Sequence, residues 1–309
     1  MPAAVAAALA GASPLSRAQP QLARSALEEA ESRVPAGTDV DLRHGLDLVM
    51  GRAGCTGAGQ CAPCYQCHQI RGQGSVTAEF PRVAGQSFRY LYASLQDFAS
   101  GRRNDPTMTP IARALTPQDM RDVAAFYSAQ EPRTQATAGL AARKTSPTAD
   151  VLAAGGALAA IGSAERGVQG CANCHGPQGA GLPPVYPYLA GQYPNYLEAQ
   201  LDAWRSGRRS AGGEGFDVMA DIAKRLTRED VHAVAEYYAS IEPPRTLRDE
   251  NYAGALDIGA PLSAARPEPR RNPTQQSGAR AEPSEPGQRP PLQGEPPDEK
   301  LSVPPNRIP

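Results

Sequence analysis

Two stretches of the chain repeat apolar side chains with the period of an α-helix. In each stretch apolar residues occur at positions i, i+3, i+4 and i+7, which predicts a helix with one buried face. Thr116 and Thr227 precede the two stretches and have an aspartate three residues later, the spacing of an N-terminal capping box. We therefore predict the C-terminal helices of two small domains. The apolar positions are Met120, Val123, Ala124 and Tyr127 in the first stretch and Val231, Val234, Ala235 and Tyr238 in the second.

An earlier pair of predicted helices indicates that the chain contains an internal repeat. Both helices are followed by a Gly-Arg-Arg tripeptide, at residues 101–103 and 207–209. The basic side chains are expected to face the negative end of their own helix dipole. The apolar residues of the two helices correspond one to one: Tyr90, Leu91, Leu95 and Phe98 match Tyr196, Leu197, Leu201 and Trp204.

The length of 309 residues and the repeat together predict two domains. After the second copy, the last 65 residues contain thirteen prolines and a single aromatic residue, Tyr252. Such a segment buries too little apolar area to offset its loss of conformational entropy, so we expect it to be disordered or partly polyproline II. The predicted order is a leader over 19–44, a first domain over 45–131, a linker over 132–152, a second domain over 153–243 and the proline-rich tail over 244–309.

The first 18 residues match a secretory signal peptide poorly but recognisably. A weakly apolar run at 3–12 has no basic residue before it and is followed by small residues suited to cleavage. No stretch reaches the ~20 apolar residues of a transmembrane helix, so we expect no direct membrane span. Lys and Arg number 31 against 32 Asp and Glu, a formal net charge of -1. This balance favours neither nucleic acid nor an anionic membrane surface as a partner.

Each copy of the repeat contains two cysteines three residues apart, with a histidine directly after the second. This is the attachment signature of a c-type haem, because two thiols on one tight turn reach the two vinyl groups of one porphyrin and leave the next side chain beneath the iron. A lone cysteine pair at this spacing is also typical of a zinc half-site or a redox pair, but here the histidine and the surroundings are duplicated. We predict two covalently bound haem c groups, attached at Cys64, Cys67, Cys171 and Cys174, with His68 and His175 as proximal iron ligands.

The sixth iron ligand decides between electron transfer and ligand chemistry. Of the five methionines, Met108 and Met219 hold equivalent positions in the two copies. We predict that both are axial ligands; the alternative is that both are adaptable core side chains. Met120 aligns with Val231 and is predicted to lie in the core, and Met50 has no counterpart. A thioether ligand favours reduced iron and raises the reduction potential, which suits an electron carrier.

Four histidines are present, and two remain after the proximal ligands are assigned. His44 and His232 are not repeated, and we expect them to be surface or helix residues. A proximal histidine normally donates its other ring N–H to an acceptor that holds the ring in place. The predicted acceptors are the backbone carbonyls of Pro81 and Pro187, 13 and 12 residues after their histidines.

Two cysteines, Cys55 and Cys61, lie outside the haem signatures. A disulfide between them would close a small loop in an oxidising compartment, which covalent haem attachment itself suggests; the alternative is two free thiols. Cys61, Cys64 and Cys67 also form a CxxCxxC run, as in an iron–sulfur site, but the second copy has no such additional cysteine.

The chain from about residue 45 to residue 241 resembles the two-haem class I cytochromes c of the bacterial periplasm, the c4 type. The second copy is the more similar, with its haem signature inside the run 167–177, Leu-Ala-Gly-Gln at 189–192, and Gln-Leu at 200–201. The resemblance implies an all-α fold of two tandem class I cytochrome c domains, related by a pseudo-twofold axis, with His/Met ligation in each. In the first copy, Gln69 stands where a glycine usually follows the haem histidine.

These features predict a periplasmic di-haem electron carrier and not an enzyme, since no paired carboxylates, nucleophile triad or phosphate loop accompany the haem signatures. The resemblance implies transfer of single electrons from a respiratory donor, such as a quinol-linked complex, or from a dehydrogenase, to a terminal oxidase or another acceptor. One alternative is the cytochrome subunit of a flavoprotein or quinoprotein dehydrogenase complex, attached through the tail. Another is a di-haem enzyme of peroxidase type, which requires a vacant or displaceable axial position.

Overall fold

The computed structural model describes residues 14–34, 39–55, 59, 62–75, 80–132, 146–211 and 217–244, with side chains from residue 19. This part of the chain is helical, with no β-strand beyond four isolated bridges. The predicted all-α fold class is therefore confirmed. Within the same described residues, no helix combines the length and the apolar character needed to cross a lipid bilayer.

Five helices of the first copy recur in the same order in the second. The first copy consists of α1 (Pro14–Glu31), α2 (Leu42–Met50), α3 (Tyr65–His68), α4 (Phe88–Ser100), α5 (Met108–Arg113) and α6 (Pro117–Ser128). The second consists of α7 (Ala149–Ile161), α8 (Ala172–His175), α9 (Pro194–Arg205), α10 (Val218–Arg225) and α11 (Arg228–Ser240), with a 3-10 turn at Pro177–Gly179. Helices α2 to α6 thus correspond to α7 to α11, and α1 has no counterpart in the described part of the second copy.

The two C-terminal helices carry the buried faces that the sequence predicts. All eight apolar positions of α6 and α11 named above are at most 5 % exposed. Both capping boxes are also confirmed: Thr116 and Thr227 accept from the N–H groups of Asp119 and Asp230, whose carboxylates accept in return. Helix α6 packs against α2 and α4, and α11 packs against α7 and α9. Each domain is therefore built around its C-terminal helix.

The segment predicted as a leader is part of the first domain. Helix α1 has an apolar face at positions i, i+3, i+4 and i+7, and this face belongs to the same core cluster as Phe126 of α6. The segment predicted as a leader thus contains a helix of the first domain, and the sequence did not reveal this because the apolar residues of that helix are mostly small alanines. The buried positions are Ala23, Ala26, Leu27 and Ala30, all at most 9 % exposed.

A largely buried ion pair between Glu29 and Arg71 links α1 to the rest of the first domain. The Glu29 carboxylate pairs with Arg71 and with Arg33, and it accepts a hydrogen bond from the Glu131 N–H at 2.8 Å. The side chains of Glu29 and Arg71 are only 11 % and 13 % exposed. Removing one of these charges would leave the other largely desolvated and without an oppositely charged group that it now pairs with.

The second domain begins earlier than predicted. Helix α7 starts at Ala149, inside the range assigned to the linker, and the Thr148 side chain caps it by accepting from the Val151 N–H. Its alanine- and glycine-rich sequence lacks the polar face by which an amphipathic helix is recognised. Residues 1–13, 133–145 and 245–309 lie outside the described residues, so the signal peptide, the rest of the linker and the proline-rich tail stay predictions.

The two Gly-Arg-Arg turns lie against each other across the two domains, forming an isolated antiparallel bridge between Arg103 and Arg209. The Arg103 guanidinium donates to Tyr196 Oη and Gln200 Oε1, both at 2.7 Å. Arg209 donates to Tyr90 Oη at 3.1 Å and to Gln200 Oε1 at 2.9 Å. For Arg103 and Arg209 the expectation of a role at their own helix dipole is therefore corrected: their side chains join the domains. Arg102, in contrast, pairs with Asp97 of its own helix α4.

His44 connects α2 to α6 in the first domain. Its Nδ1 lies 2.8 Å from Oδ2 of Asp122, a carboxylate that is 1 % exposed, and its Nε2 lies 3.6 Å from Oδ1 of Asp119. The hydrogen bond to Asp122 is the largest of the effects that raise the pKa of His44 above its usual value. His232, in contrast, lies at the surface beside Glu198, as predicted.

We predict that His44→Gln destabilises the protein in a pH-dependent way. Because the folded-state pKa of His44 is raised, its charge contributes fully to stability below the unfolded pKa of about 6.5 and loses that contribution as the pH rises through the folded pKa. The loss at low pH should be about 1 kcal/mol, since the half-exposed imidazole is partly screened by water. Urea denaturation of both proteins across this range measures the difference. A stability difference that grows with pH would contradict the assignment.

We also predict that Glu29→Gln lowers the free energy of unfolding by about 3 kcal/mol, because the sheltered Arg71 guanidinium loses the negative charge of Glu29. Glu28→Gln, on the exposed side of the same helix, is the matched control and should change stability by no more than about 0.5 kcal/mol. Thermal or urea unfolding of the two variants makes the comparison. Equal stability of both would mean that α1 does not belong to the folded domain.

Candidate haem-binding sites

Both predicted proximal histidines lie at the end of a four-residue helix and are held by a backbone carbonyl. His68 ends α3, and its Nδ1 lies 3.0 Å from the Pro81 carbonyl oxygen. His175 ends α8, and its Nδ1 lies 2.9 Å from the Pro187 carbonyl oxygen. These are the acceptors that the sequence predicts, so both hydrogen bonds are confirmed. Since a carbonyl oxygen only accepts, Nδ1 carries the hydrogen and Nε2 keeps a lone pair free for a metal ion.

Burial favours the neutral form of both imidazoles. Desolvation is the main cause that lowers the pKa of His68 and of His175, and it outweighs the opposing effect of the proline carbonyls. A neutral imidazole is the form that binds iron. The two rings therefore have the protonation state, the tautomer and the orienting partner that an iron ligand needs.

The four cysteines of the signatures lie on the same short turns as the histidines. Cys64 and Cys171 directly precede α3 and α8, Cys67 and Cys174 lie within them, and all four are free thiols. Burial is the main cause that raises the pKa of Cys64 to about 12, and it also raises the pKa values of Cys67 and Cys171. A redox-active cysteine pair instead requires a lowered thiol pKa. The environment thus disfavours the redox-pair alternative and fits thiols that serve for attachment.

Glycines allow the loop after each signature to pack tightly on the C-terminal helix of its domain. Gly72 has φ +73° and Gly179 has φ +71°. A Cβ at Gly72 would lie 2.8 Å from the Tyr127 ring, and one at Gly179 would lie 2.6 Å from the Tyr238 ring. Only glycine combines this backbone conformation with so close an approach. The loop that supplies each proline carbonyl is thereby fixed against the core of its domain.

The residue after each predicted proximal histidine has a positive φ in both copies. Gly176 has φ +75° and Gln69 has φ +63°. In the first copy the Gln69 side chain compensates locally by donating to the Gly74 carbonyl at 2.6 Å. The departure of the first copy from the usual glycine therefore leaves the backbone path unchanged.

Met108 and Met219 begin equivalent short helices. Met108 is the first residue of α5 and its N–H donates to Asp105 Oδ1 at 2.8 Å, and Met219 is the second residue of α10, which Asp217 caps. Both side chains are half-buried, and neither belongs to the apolar core clusters formed by the described residues. Met120, in contrast, is 5 % exposed within the first core, as predicted. The positions favour the ligand hypothesis over the core hypothesis, and the ligation itself stays a prediction.

The predicted disulfide falls partly outside the described residues. Cys55 is disulfide-bonded, whereas Cys61 is not described. The pairing of these two cysteines therefore stays a prediction, and so does the exclusion of an iron–sulfur site that would include Cys61.

Two glutamines that the sequence analysis left without a role reach from each domain into the other. Gln86 and Gln192 occupy the same position in the two copies, directly after an Ala-Gly pair, and both are 4 % exposed. Gln86 hydrogen-bonds the backbone of Tyr188, and Gln192 hydrogen-bonds the backbone of Arg82. Their duplication was the available signal, but their partners lie about a hundred residues away and no local spacing reveals them.

Comparison with known proteins agrees with this geometry. The family model for cytochrome c matches the chain twice, over residues 57–129 and 160–242. A thiosulfate dehydrogenase electron acceptor of Stutzerimonas stutzeri is 40 % identical over 190 residues, which cover 59 % of this chain and 81 % of that protein. Cytochrome c4 of Azotobacter vinelandii is 34 % identical over 203 residues, covering 62 % of this chain and 90 % of its relative.

Two solved structures are similar as well. Reduced cytochrome c4 from Pseudomonas stutzeri superposes with a TM-score of 0.54 at 27 % identity, covering 65 % of this chain and 99 % of that one. A thiosulfate dehydrogenase (TsdBA) from Marichromatium purpuratum superposes with a TM-score of 0.56 at 37 % identity over 65 % of this chain, which spans only 40 % of that longer chain.

The duplicated signatures, the oriented neutral histidines and the two family matches lead to one conclusion. The chain belongs to the cytochrome c family and is a di-haem electron-transfer cytochrome of the c4 type, with two covalently bound haem c groups.

Proposed function

We propose that this cytochrome accepts single electrons from a thiosulfate-oxidising dehydrogenase and passes them to a terminal oxidase or another respiratory acceptor. The main support for this proposal is the 40 % identity to a thiosulfate dehydrogenase electron acceptor, 81 % of which is covered by the match. Haem c supplies a one-electron iron couple, so no bond needs to be made or broken in the carrier. A quinol-linked complex is the other donor compatible with the family.

The residues proposed to hold the haems come from two short helices and two loops. Cys64 and Cys67 attach the first haem, and Cys171 and Cys174 attach the second. His68 and His175 provide Nε2 as proximal ligands, with their Nδ1 groups held by proline carbonyls. We assign Met108 and Met219 as the second axial ligands because they hold equivalent positions outside the apolar cores.

We further propose that the protein works in the periplasm. Covalent haem attachment and a Cys55–Cys61 disulfide both suit an oxidising compartment outside the cytoplasm. Residues 1–18 are proposed as the export signal. Because α1 begins at Pro14 and its buried face starts at Ala23, cleavage near residue 18 would leave that face intact.

A second candidate function is a permanent cytochrome subunit of the dehydrogenase. It is favoured by the similarity to part of a thiosulfate dehydrogenase chain, in which the matched part makes up 40 % of the whole. In this case the electron acceptor would be bound to its donor and would not diffuse between partners. The proline-rich tail would be the attachment segment.

We predict that Met108→Ala and Met219→Ala each alter one haem only. Loss of the thioether removes a ligand that favours reduced iron, so the reduction equilibrium constant of that haem should fall at least about tenfold, or about 59 mV for one electron. The same haem should bind carbon monoxide when reduced. Met120→Leu is the matched control, since Met120 lies in the core. If the Ala variants keep the wild-type spectra and potentials, the ligand assignment is wrong.

The donor is tested by rapid mixing of the oxidised cytochrome with purified thiosulfate dehydrogenase and thiosulfate. We expect both haems to be reduced in this mixture, and neither to be reduced when the dehydrogenase or thiosulfate is omitted. Reduction by a quinol-linked complex alone would refute the proposed donor while leaving the carrier function intact. Gel filtration of the mixture separates the two candidates, because a permanent subunit co-elutes with the dehydrogenase in a fixed ratio and a diffusing carrier does not.

A further inference from the structure

The peptide unit between Pro81 and Arg82 is hydrogen-bonded at both of its polar atoms. Its carbonyl oxygen accepts from His68 Nδ1 at 3.0 Å. Its N–H, on Arg82, donates to Oε1 of Gln192 at 2.9 Å. Gln192 belongs to the second domain, and its Nε2 also donates to the Arg82 carbonyl at 2.8 Å. One peptide unit of the first domain is therefore hydrogen-bonded both to His68 of that domain and to the Gln192 side chain of the second domain.

The same arrangement occurs in the opposite direction. The carbonyl of the Pro187–Tyr188 peptide accepts from His175 Nδ1 at 2.9 Å, and its N–H donates to Gln86 Oε1 at 3.2 Å. Gln86 lies in the first domain and donates from Nε2 to the Tyr188 carbonyl at 2.8 Å. Each domain thus supplies one glutamine that holds the peptide supporting the other domain's histidine.

These hydrogen bonds are sheltered from water. Gln86 and Gln192 are both 4 % exposed, and each hydrogen-bonds both the N–H and the carbonyl of one partner residue. Gln192 Oε1 also accepts from the N–H of Tyr193 at 3.1 Å. In a buried setting, hydrogen bonds in series polarise one another. When the peptide N–H donates to glutamine, electron density shifts towards the carbonyl oxygen of the same amide. That oxygen becomes a better acceptor for the histidine Nδ1–H.

A stronger hydrogen bond at Nδ1 makes the imidazole a more basic ligand. A more basic ligand stabilises oxidised iron relative to reduced iron. The glutamine of one domain would therefore influence an iron bound by the other domain's histidine through one peptide and one imidazole.

We propose that Gln86 and Gln192 are positioning residues that tune the opposite haem, so that the potential of each haem depends on the contact between the two domains. The proposal rests on the proposed function and on His68 and His175 as ligands. It extends both by assigning a redox role to contacts between the domains. It requires no electron donor or acceptor beyond those of the carrier itself.

The interface also offers a control that keeps every hydrogen bond of the two proline peptides. The Tyr193 ring lies 5.6 Å from the Arg82 guanidinium and the Tyr193 N–H donates to Gln192 Oε1 at 3.1 Å, and both contacts are kept when only the Tyr193 hydroxyl is removed. Tyr193 Oη donates to the Gln73 carbonyl in the other domain at 2.8 Å, and neither residue belongs to the peptides described above. Tyr193→Phe therefore removes one buried hydrogen bond between the domains. If the glutamines only stabilise this interface, their removal should affect the haem potentials no more than Tyr193→Phe does.

The test is a spectroelectrochemical titration of the full-length holoprotein carrying Gln192→Leu, Gln86→Leu or Tyr193→Phe. We expect Gln192→Leu to raise the reduction potential of the first-domain haem, so that its reduction equilibrium constant increases roughly threefold. The potential of the second haem should not change. Gln86→Leu should do the reverse. Tyr193→Phe should move neither haem comparably. The Met108→Ala background, which displaces the wave of the first haem, identifies which wave belongs to which domain.

A second readout follows the histidine itself. In the reduced protein, proton exchange at His68 Nδ1 measured by NMR should be faster in Gln192→Leu than in the wild type, and unchanged in Tyr193→Phe. If Gln192→Leu does not retain both haems, Gln192→Met keeps the length of the side chain and removes the same two hydrogen-bonding atoms.

Two waves that shift together, or that do not shift, in the glutamine variants would overturn the crossed tuning while leaving the two-haem carrier intact. Fewer than two one-electron waves in the wild type would instead refute the two-haem carrier itself. The two failures are therefore distinguishable in one experiment.

Discussion

The hydrogen bond to a proline carbonyl from each histidine proposed as a proximal ligand is the contact on which both proposed haem sites depend. Helices α3 and α8 have only four residues each and cannot orient a ring by themselves. The carbonyls of Pro81 and Pro187 fix the tautomer and leave Nε2 available. Their loops are held in turn by glycines that approach the tyrosines of the C-terminal helices. The orientation of the two histidines proposed as iron ligands therefore depends on the packing of α6 and α11.

The two domains have similar haem-binding segments but differ in the contacts that stabilise their helices. Among the described residues, the first has an additional helix, α1, which Glu29 links to the rest of the domain, and a His44–Asp122 contact between α2 and α6. In the second domain, Ala233 occupies the place in α11 that Asp122 has in α6, counted from the capping threonines, so the same contact cannot form. We therefore expect the stability of the first domain to depend on pH through His44 and on substitutions in α1, two contacts without a counterpart in the described part of the second domain. Such differences give two similar haems distinct surroundings.

Much of each site was predictable because it depends on short spacings that occur twice. The capping boxes, the buried faces of α6 and α11, and the carbonyls of Pro81 and Pro187 all follow from local patterns. The contacts between the domains did not, because their partners lie far apart in the chain. Arg103 to Tyr196 spans 93 residues, and Gln86 to Tyr188 spans 102. Helix α1 escaped prediction because its buried face is mostly alanine, which contributes little to a hydrophobic pattern.

One chain with two covalently attached haems, each six-coordinate through the proposed His and Met ligands, should exchange electrons singly. The first measurement to make is the mass of the protein matured with the c-type haem assembly machinery, combined with a redox titration of its absorption spectrum. We expect the mass of two haems on the denatured chain and two one-electron waves from low-spin iron at high potential. One retained haem, or a high-spin iron at low potential, would contradict this expectation.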